Sequence, residues 1–219
     1  MTPVDRSAVV ETLDARWCAL LDRLGVGAGA AAPTFAELVR AYSESGRHYH
    51  TLDHIAALLD LLDQHGEGLA DRSAVELAIF FHDIVYVPTR SDNEAESATL
   101  ARERLTALGL PAGLIARVAD LILATQHGIE PAERCDADLA LLLDLDLSVL
   151  AADRSIYAAY ARAIRSEYAV YPDEVYRPGR RRVLDQFLAR PRIYQTSRLH
   201  SLWDAAARAN LTWELAELG

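Results

Sequence analysis

The sequence predicts an all-α protein, and three observations predict it. Apolar residues recur at three- and four-residue spacing along nearly the whole chain, the period of an amphipathic helix. No alternating β-branched run bounded by an Asn-Gly or Asp-Gly turn occurs, so strands lack their usual signature. Glycine and proline fall between the periodic segments, where they stop helices.

Taken in order, Val9, Val10, Leu13, Trp17, Leu20, Leu21 and Leu24 mark a first helical face. The stretch GVGAGAAAP, residues 25–33, reads as a short interhelical loop, and Phe35, Leu38, Val39 and Tyr42 mark the second face. Ile55, Leu58, Leu59 and Leu62 trace a helix ending near His65-Gly66. Val75 to Tyr86 predicts a very apolar helix stopped by Pro88, and Asn93 to Leu108 one closed by Gly109. After Pro111 the pattern resumes through His127, then over Asp138 to Leu150, Ser155 to Tyr168, Val175 to Leu188 and Leu199 to Leu218. The sum is a bundle of eight to ten helices with no internal repeat.

The length of 219 residues suffices for one compact domain with a real core, and 51% hydrophobic with 25% charged residues excludes a disordered chain. A formal charge of -10 repels long nucleic acid and anionic membranes, so an anionic ligand needs a local basic pocket. Such a region exists between Arg177 and Arg198, where Arg177, Arg180, Arg181, Arg182, Arg190, Arg192 and Arg198 face a single acid, Asp185. Cys18 and Cys135 form neither a CxxC pair nor a framework. The start, MTPVDRSAVVETLDARW, has acids where a signal peptide needs a basic start and an apolar stretch, and no run reaches the roughly 20 apolar residues of a membrane helix. A cytoplasmic protein with free thiols and no membrane partner is the expectation.

Two fragments carry the chemistry. RHYHTLDHI, Arg47 to Ile55, holds three of the seven histidines. If a helix has begun by His50, the rings of His50 and His54 project from one face, one turn apart; Thr51 and Asp53 alternatively cap the helix entry. FFHDIVY, Phe80 to Tyr86, sets His82 and Asp83 in an apolar run. A buried carboxylate there must be paired or bind a cation, the alternative being a buried histidine bonded to an aspartate that caps a loop. A third acidic element is LDLDLSVL, where Asp144 and Asp146 interrupt a leucine-rich helix on opposite sides, so one of them needs an inward partner.

The pattern H…HD…D, with His54, His82-Asp83 and Asp146, resembles the HD superfamily of metal-dependent phosphohydrolases. RHYHTLDHI, FFHDIVY, SDNEAESA, the Thr-Gln-His at 125–127, LDLDLSVL, IRSEY and YRPGRRRVLDQFL followed by IY echo its predicted-phosphohydrolase branch, from about Arg47 to the C-terminus. The resemblance implies one helical domain over 1–219: N-terminal helices (1–45) packed on a metal-binding core (47–195), then a C-terminal helix (198–218). It also implies a buried divalent ion held by His54, His82, Asp83 and Asp146. YHTLDHI is similar as well to the YHNxxHA segment of cyclic-nucleotide phosphodiesterases, with Thr51 in place of the asparagine. By that likeness His54 is a ligand and His50 the proton donor to the leaving oxygen. The aspartate of their ADLS segment matches Asp146, which is preferred to Asp144. His127 stands where some HD proteins carry a further histidine for a second metal or the substrate phosphate.

Two histidines and two carboxylates suit Mn²⁺, Fe²⁺, Co²⁺, Ni²⁺, Zn²⁺ or Mg²⁺, any of which activates water for attack on phosphorus. Asp83 can also steer that water. Glu94 is a candidate general base or an acceptor for a ligating histidine; its alternative is a carboxylate favoured by the helix dipole. Arg177, Arg180 and Arg181 are candidates for a phosphate clamp. The expected substrate is a small phosphorylated molecule, a nucleotide before others. Two competing readings are an HD-fold diiron oxygenase, marked by bound iron and His127 among its ligands, and a non-catalytic metal-dependent nucleotide sensor, marked by tight binding without turnover.

Overall fold

A computed structural model describes residues 6–126 and 136–219, and among them it holds ten α-helices, one 3-10 helix and no strand. The chain divides into two compact units, Met1–Gln126 and His127–Gly219. Among the described residues no helix is long and apolar enough to cross a membrane.

The first unit contains α1 (Arg6–Arg23), α2 (Ala28–Tyr42), α3 (Leu52–His65), α4 (Arg72–Phe81), α5 (Asn93–Ala107) and α6 (Ala112–Leu123). Its centre is α4, in which Ala74, Val75 and every residue from Leu77 to Phe81 are buried, as a helix apolar all round requires. The Asp71 carboxylate caps it by accepting from Ala74 N at 2.9 Å. α4 packs on α3, α5 and α6, while α1 packs on α2 and α3. Trp17, fully buried, sets its ring edge-on to Phe80 at 5.1 Å and donates through Nε1 to Ala31 O at 3.1 Å. α5 turns into α6 at Gly109, whose φ of 75° sits where the left-handed residue of a Schellman motif is needed. The bonds Gly109 N to Thr106 O and Leu110 N to Leu105 O complete that motif.

One expectation fails here. The stretch 25–33 is only partly loop, because α2 already begins at Ala28 and carries Pro33 inside it. Alanine is the strongest helix former, and four alanines between Ala28 and Ala32 outweigh the glycine and proline beside them.

The second unit contains α7 (Ala137–Asp146), the 3-10 turn Ser148–Ala151, α8 (Arg154–Glu167), α9 (Asp173–Ala189) and α10 (Ser197–Glu217). α10 is its spine and touches α8, α9 and the 3-10 turn. Polar side chains of α10 fix the segments around it. Asn210 donates to Leu150 O and Ala152 O, both at 2.8 Å. Asp204 accepts from Ile193 N at 2.8 Å, and Arg208 donates to Leu188 O at 2.9 Å and to Arg190 O at 2.7 Å, closing the α9–α10 connection. The 3-10 turn replaces the last residues of the helix expected over 138–150.

Candidate metal centre

His54 occupies the first turn of α3 and is 5% exposed, while His82 directly follows the last residue of α4 and is 1% exposed. His82 and Asp83 therefore sit at a helix end rather than inside the helix that the apolar run to Tyr86 suggested. The reason lies in where the backbone bonds go. His82 N still bonds to Ala78 O, but Ile84 N turns to Phe81 O, and the carbonyls of Asp83 and Ile84 are taken by the Arg47 guanidinium at 2.6 and 2.8 Å. Tyr42 Oη donates to Phe80 O at 3.0 Å. Beyond the turn, Val85 N donates to Ser97 Oγ, and Val87 exchanges two bonds with the Asn93 side chain. The segment SDNEAES thus holds the loop after His82-Asp83 in place. Asn93, Ser97, Tyr42 and Arg47 were not among the candidate site residues of the sequence; their signal was their place beside the histidine motifs or in the SDNEAESA segment.

His50 precedes α3, which starts at Leu52, so it does not share a helical face with His54. The two rings still come together, with centroids 6.0 Å apart, because the bends at His48–Thr51 fold His50 back. Thr51 is the N-cap residue, without a side-chain capping bond. The His50 ring lies on Tyr86 at 4.1 Å, with Nε2 3.9 Å from Asp83 Oδ2.

His82 is the hub. Its Nδ1 is 2.9 Å from Ile79 O, and since a carbonyl can only accept, Nδ1 carries the hydrogen. In the neutral ring Nε2 then presents a lone pair, and it faces His54 Nε2 at 3.4 Å and Asp83 Oδ2 at 3.1 Å. His54 Nε2 and Asp83 Oδ2 are thus set around one nitrogen of the His82 ring, and a histidine that donates its other nitrogen to a main-chain carbonyl is arranged as metal-binding histidines are. Two donors about 2.1 Å from one ion lie about 3.0 Å apart along an octahedral edge and about 3.4 Å apart along a tetrahedral one. Both spacings around His82 fit those edges.

In the second unit, Asp144 and Asp146 prove to be different kinds of residue. Asp144 is fully buried and accepts from Gln195 N at 2.5 Å, Thr196 N at 2.8 Å and Thr196 Oγ1 at 2.6 Å, so it organises the entry to α10. Burial pushes its carboxyl up from the usual range, against the pull of those three bonds. Asp146 ends α7 and is half-buried.

The three arginines named for a phosphate clamp share one surrounding. Arg180 pairs with Glu214 through bonds of 2.7 and 2.9 Å, with both side chains under a tenth exposed. Arg181 donates to Leu215 O and Arg177 to Leu218 O, so all three turn to the C-terminal end of α10. Carbonyls left over at a helix end, together with Glu214, explain why basic residues gather there. Glu94 is partly buried in the first turn of α5, a place that fits both of its readings. His48 is exposed and His65 half-buried. His127 and Cys135 lie outside the described residues.

An all-helical protein with paired buried imidazoles and an adjacent carboxylate is the class that fold and site define. The chain belongs to the HD domain family, whose model matches residues 47–162, more than half of its length. The matched range begins at Arg47, includes His50, His54, His82, Asp83, Asp144 and Asp146, and takes in residues of both units. HD domains typically bind divalent metals, and the family commonly includes metal-dependent phosphohydrolases. No curated protein and no solved structure matches the chain.

Proposed function

We propose that the protein is a metal-dependent phosphohydrolase that cleaves a phosphate ester of a small molecule, a nucleotide before others. The observation that carries this is the lone-pair face of His82, turned at once toward His54 and Asp83 in a buried place. In this reading His54, His82, Asp83 and Asp146, the residues of the H…HD…D pattern, hold the cation. A divalent cation, when bound, supplies Lewis-acid activation of water and of the phosphoryl oxygens.

The protein's own groups do the rest. His50 is 16% exposed at its side chain, enough to meet a substrate, and Tyr86 and Asp83 fix its ring, so it fits the donor of a proton to the leaving oxygen. Glu94 is the candidate proton acceptor. The charge of -10 favours a small ligand over a long polyanion.

The test is metal analysis of the purified protein, followed by a screen of nucleotides and simple phosphate esters with Mn²⁺, Co²⁺, Ni²⁺ and Mg²⁺. Chelated protein is expected to be inactive and to regain turnover with at least one of these ions. Turnover that survives complete chelation, or tight nucleotide binding without turnover under every ion, rejects the reading.

The two aspartates of α7 give a sharper check. Asp146→Ala is expected to lose the ion while melting within a few degrees of wild type. Asp144→Asn is expected to keep the ion but to lose about 1–3 kcal/mol of stability, because an amide NH₂ then faces donors that had a carboxylate. Metal content and a urea melt on both variants decide it; an ion lost from folded Asp144→Asn and kept by Asp146→Ala reverses the assignment.

A further inference from the structure

Arg47 ties both histidine motifs of the first unit together through one guanidinium. Its side chain is 2% exposed. Nη1 donates to Asp83 O at 2.6 Å and to His50 O at 3.3 Å, and Nη2 donates to Ile84 O at 2.8 Å. The guanidinium carbon stands 5.0 Å from the Tyr42 ring centre and 5.6 Å from that of Tyr86, the ring on which His50 rests. Its nearest carboxylate, Glu44, is 3.6 Å from Nε and 61% exposed. Burying a cation without a buried counter-charge is costly, and a leucine or methionine would fill the same space without that cost. What Arg47 does that they cannot is hold the backbone at His50 and the backbone at Asp83 and Ile84 with one planar fork.

We infer that Arg47 is a positioning residue: by fixing the His50 segment against the His82-Asp83 turn, it sets the affinity of the histidine–aspartate site for a divalent cation. The inference rests on the metal reading above. A lysine cannot substitute, because a single ammonium on a flexible stem has no fork with which to span the two segments.

The test compares full-length wild type, Arg47→Lys and Glu44→Gln by Co²⁺ titration, followed in the visible d–d bands, with a thermal melt on each. Arg47→Lys is expected to bind Co²⁺ about 10–100-fold more weakly, the loss typical of partners that orient ligands from outside the coordination sphere, and with altered bands. With a phosphate ester as probe, its kcat should fall while KM moves by less than about threefold, since the substrate's own contacts remain. Glu44→Gln should match wild type. A merely structural role would lower the melting temperature without changing the bands of the folded fraction.

Hydrogen exchange on wild type gives the second measurement, should Arg47→Lys fail to fold. Adding Co²⁺ should protect amides of 47–54 and of 82–86 together. Folded Arg47→Lys with wild-type affinity and bands overturns the inference, and so does protection confined to 82–86. A wild-type chain that takes up no Co²⁺ is a different result, and it sinks the metal reading itself.

Discussion

Asp83→Ala is expected to leave the purified protein without bound metal and without turnover. The carboxylate stands 3.1 Å from His82 Nε2 and 3.9 Å from His50 Nε2, so one substitution strips the negative charge from beside both rings. Even residues that only orient a ligand cost 10–100-fold in affinity or activity, so removing a carboxylate at the ion should cost more than about 100-fold. His50→Ala is the control. It leaves His54, His82 and Asp83 in place, so it should retain the ion and lower kcat alone by about 10²–10⁴-fold, the range of a lost general acid. Metal analysis and single-turnover rates on the two variants measure the division of labour. An ion retained by Asp83→Ala removes that carboxylate from the site, and an ion lost from His50→Ala assigns that ring to the metal.

How much of this was legible beforehand depends on whether a residue's partner is near in sequence. Helical periodicity is local, so α5, α8 and α10 fall within a residue or two of the segments their apolar residues draw, and α3 starts three residues before Ile55. The end of α4 is not local. Phe80 to Tyr86 is as apolar as the turns before it, and what stops the helix is an arginine 36 residues earlier that takes the Asp83 carbonyl. His82 and Asp83 stood out in the sequence because polar groups in an apolar run need a reason. Arg47 did not, although it begins the fragment that holds His50 and His54, because an arginine next to histidines reads as surface charge until its side chain is seen to be buried.

The same distinction explains Asp144 and Asp146. Spacing says that they point to different sides of α7, but which side meets the start of α10 is a tertiary fact. Three donors around Thr196 then account for Asp144. The surroundings of the basic run from Arg177 were hidden for a related reason. Counting charge along the sequence finds one acid among seven arginines, whereas the counter-charge, Glu214, arrives from the far end of the chain.

That pairing yields the largest expected stability effect. Arg180 and Glu214 are 9% and 6% exposed at their side chains, and Tyr157 Oη donates to the same carboxylate at 2.5 Å. Burial first, and then the Glu214 charge, push the Tyr157 hydroxyl far above its ordinary range, so it remains a donor at any working pH. Glu214→Ala strands a buried guanidinium and a buried hydroxyl together. Breaking one side of a buried pair costs about 3–5 kcal/mol, which at about 2–4 °C per kcal/mol for a chain of this size is a fall of roughly 10 °C. Replacing both partners, Arg180→Met with Glu214→Leu, should recover most of that loss, because neither charge is then left buried alone. Urea and thermal melts on the single and double variants measure it. A phosphate clamp predicts the opposite pattern for Arg180→Met: a raised KM and an unchanged melt. The bidentate bond to Glu214 says that the melt will move.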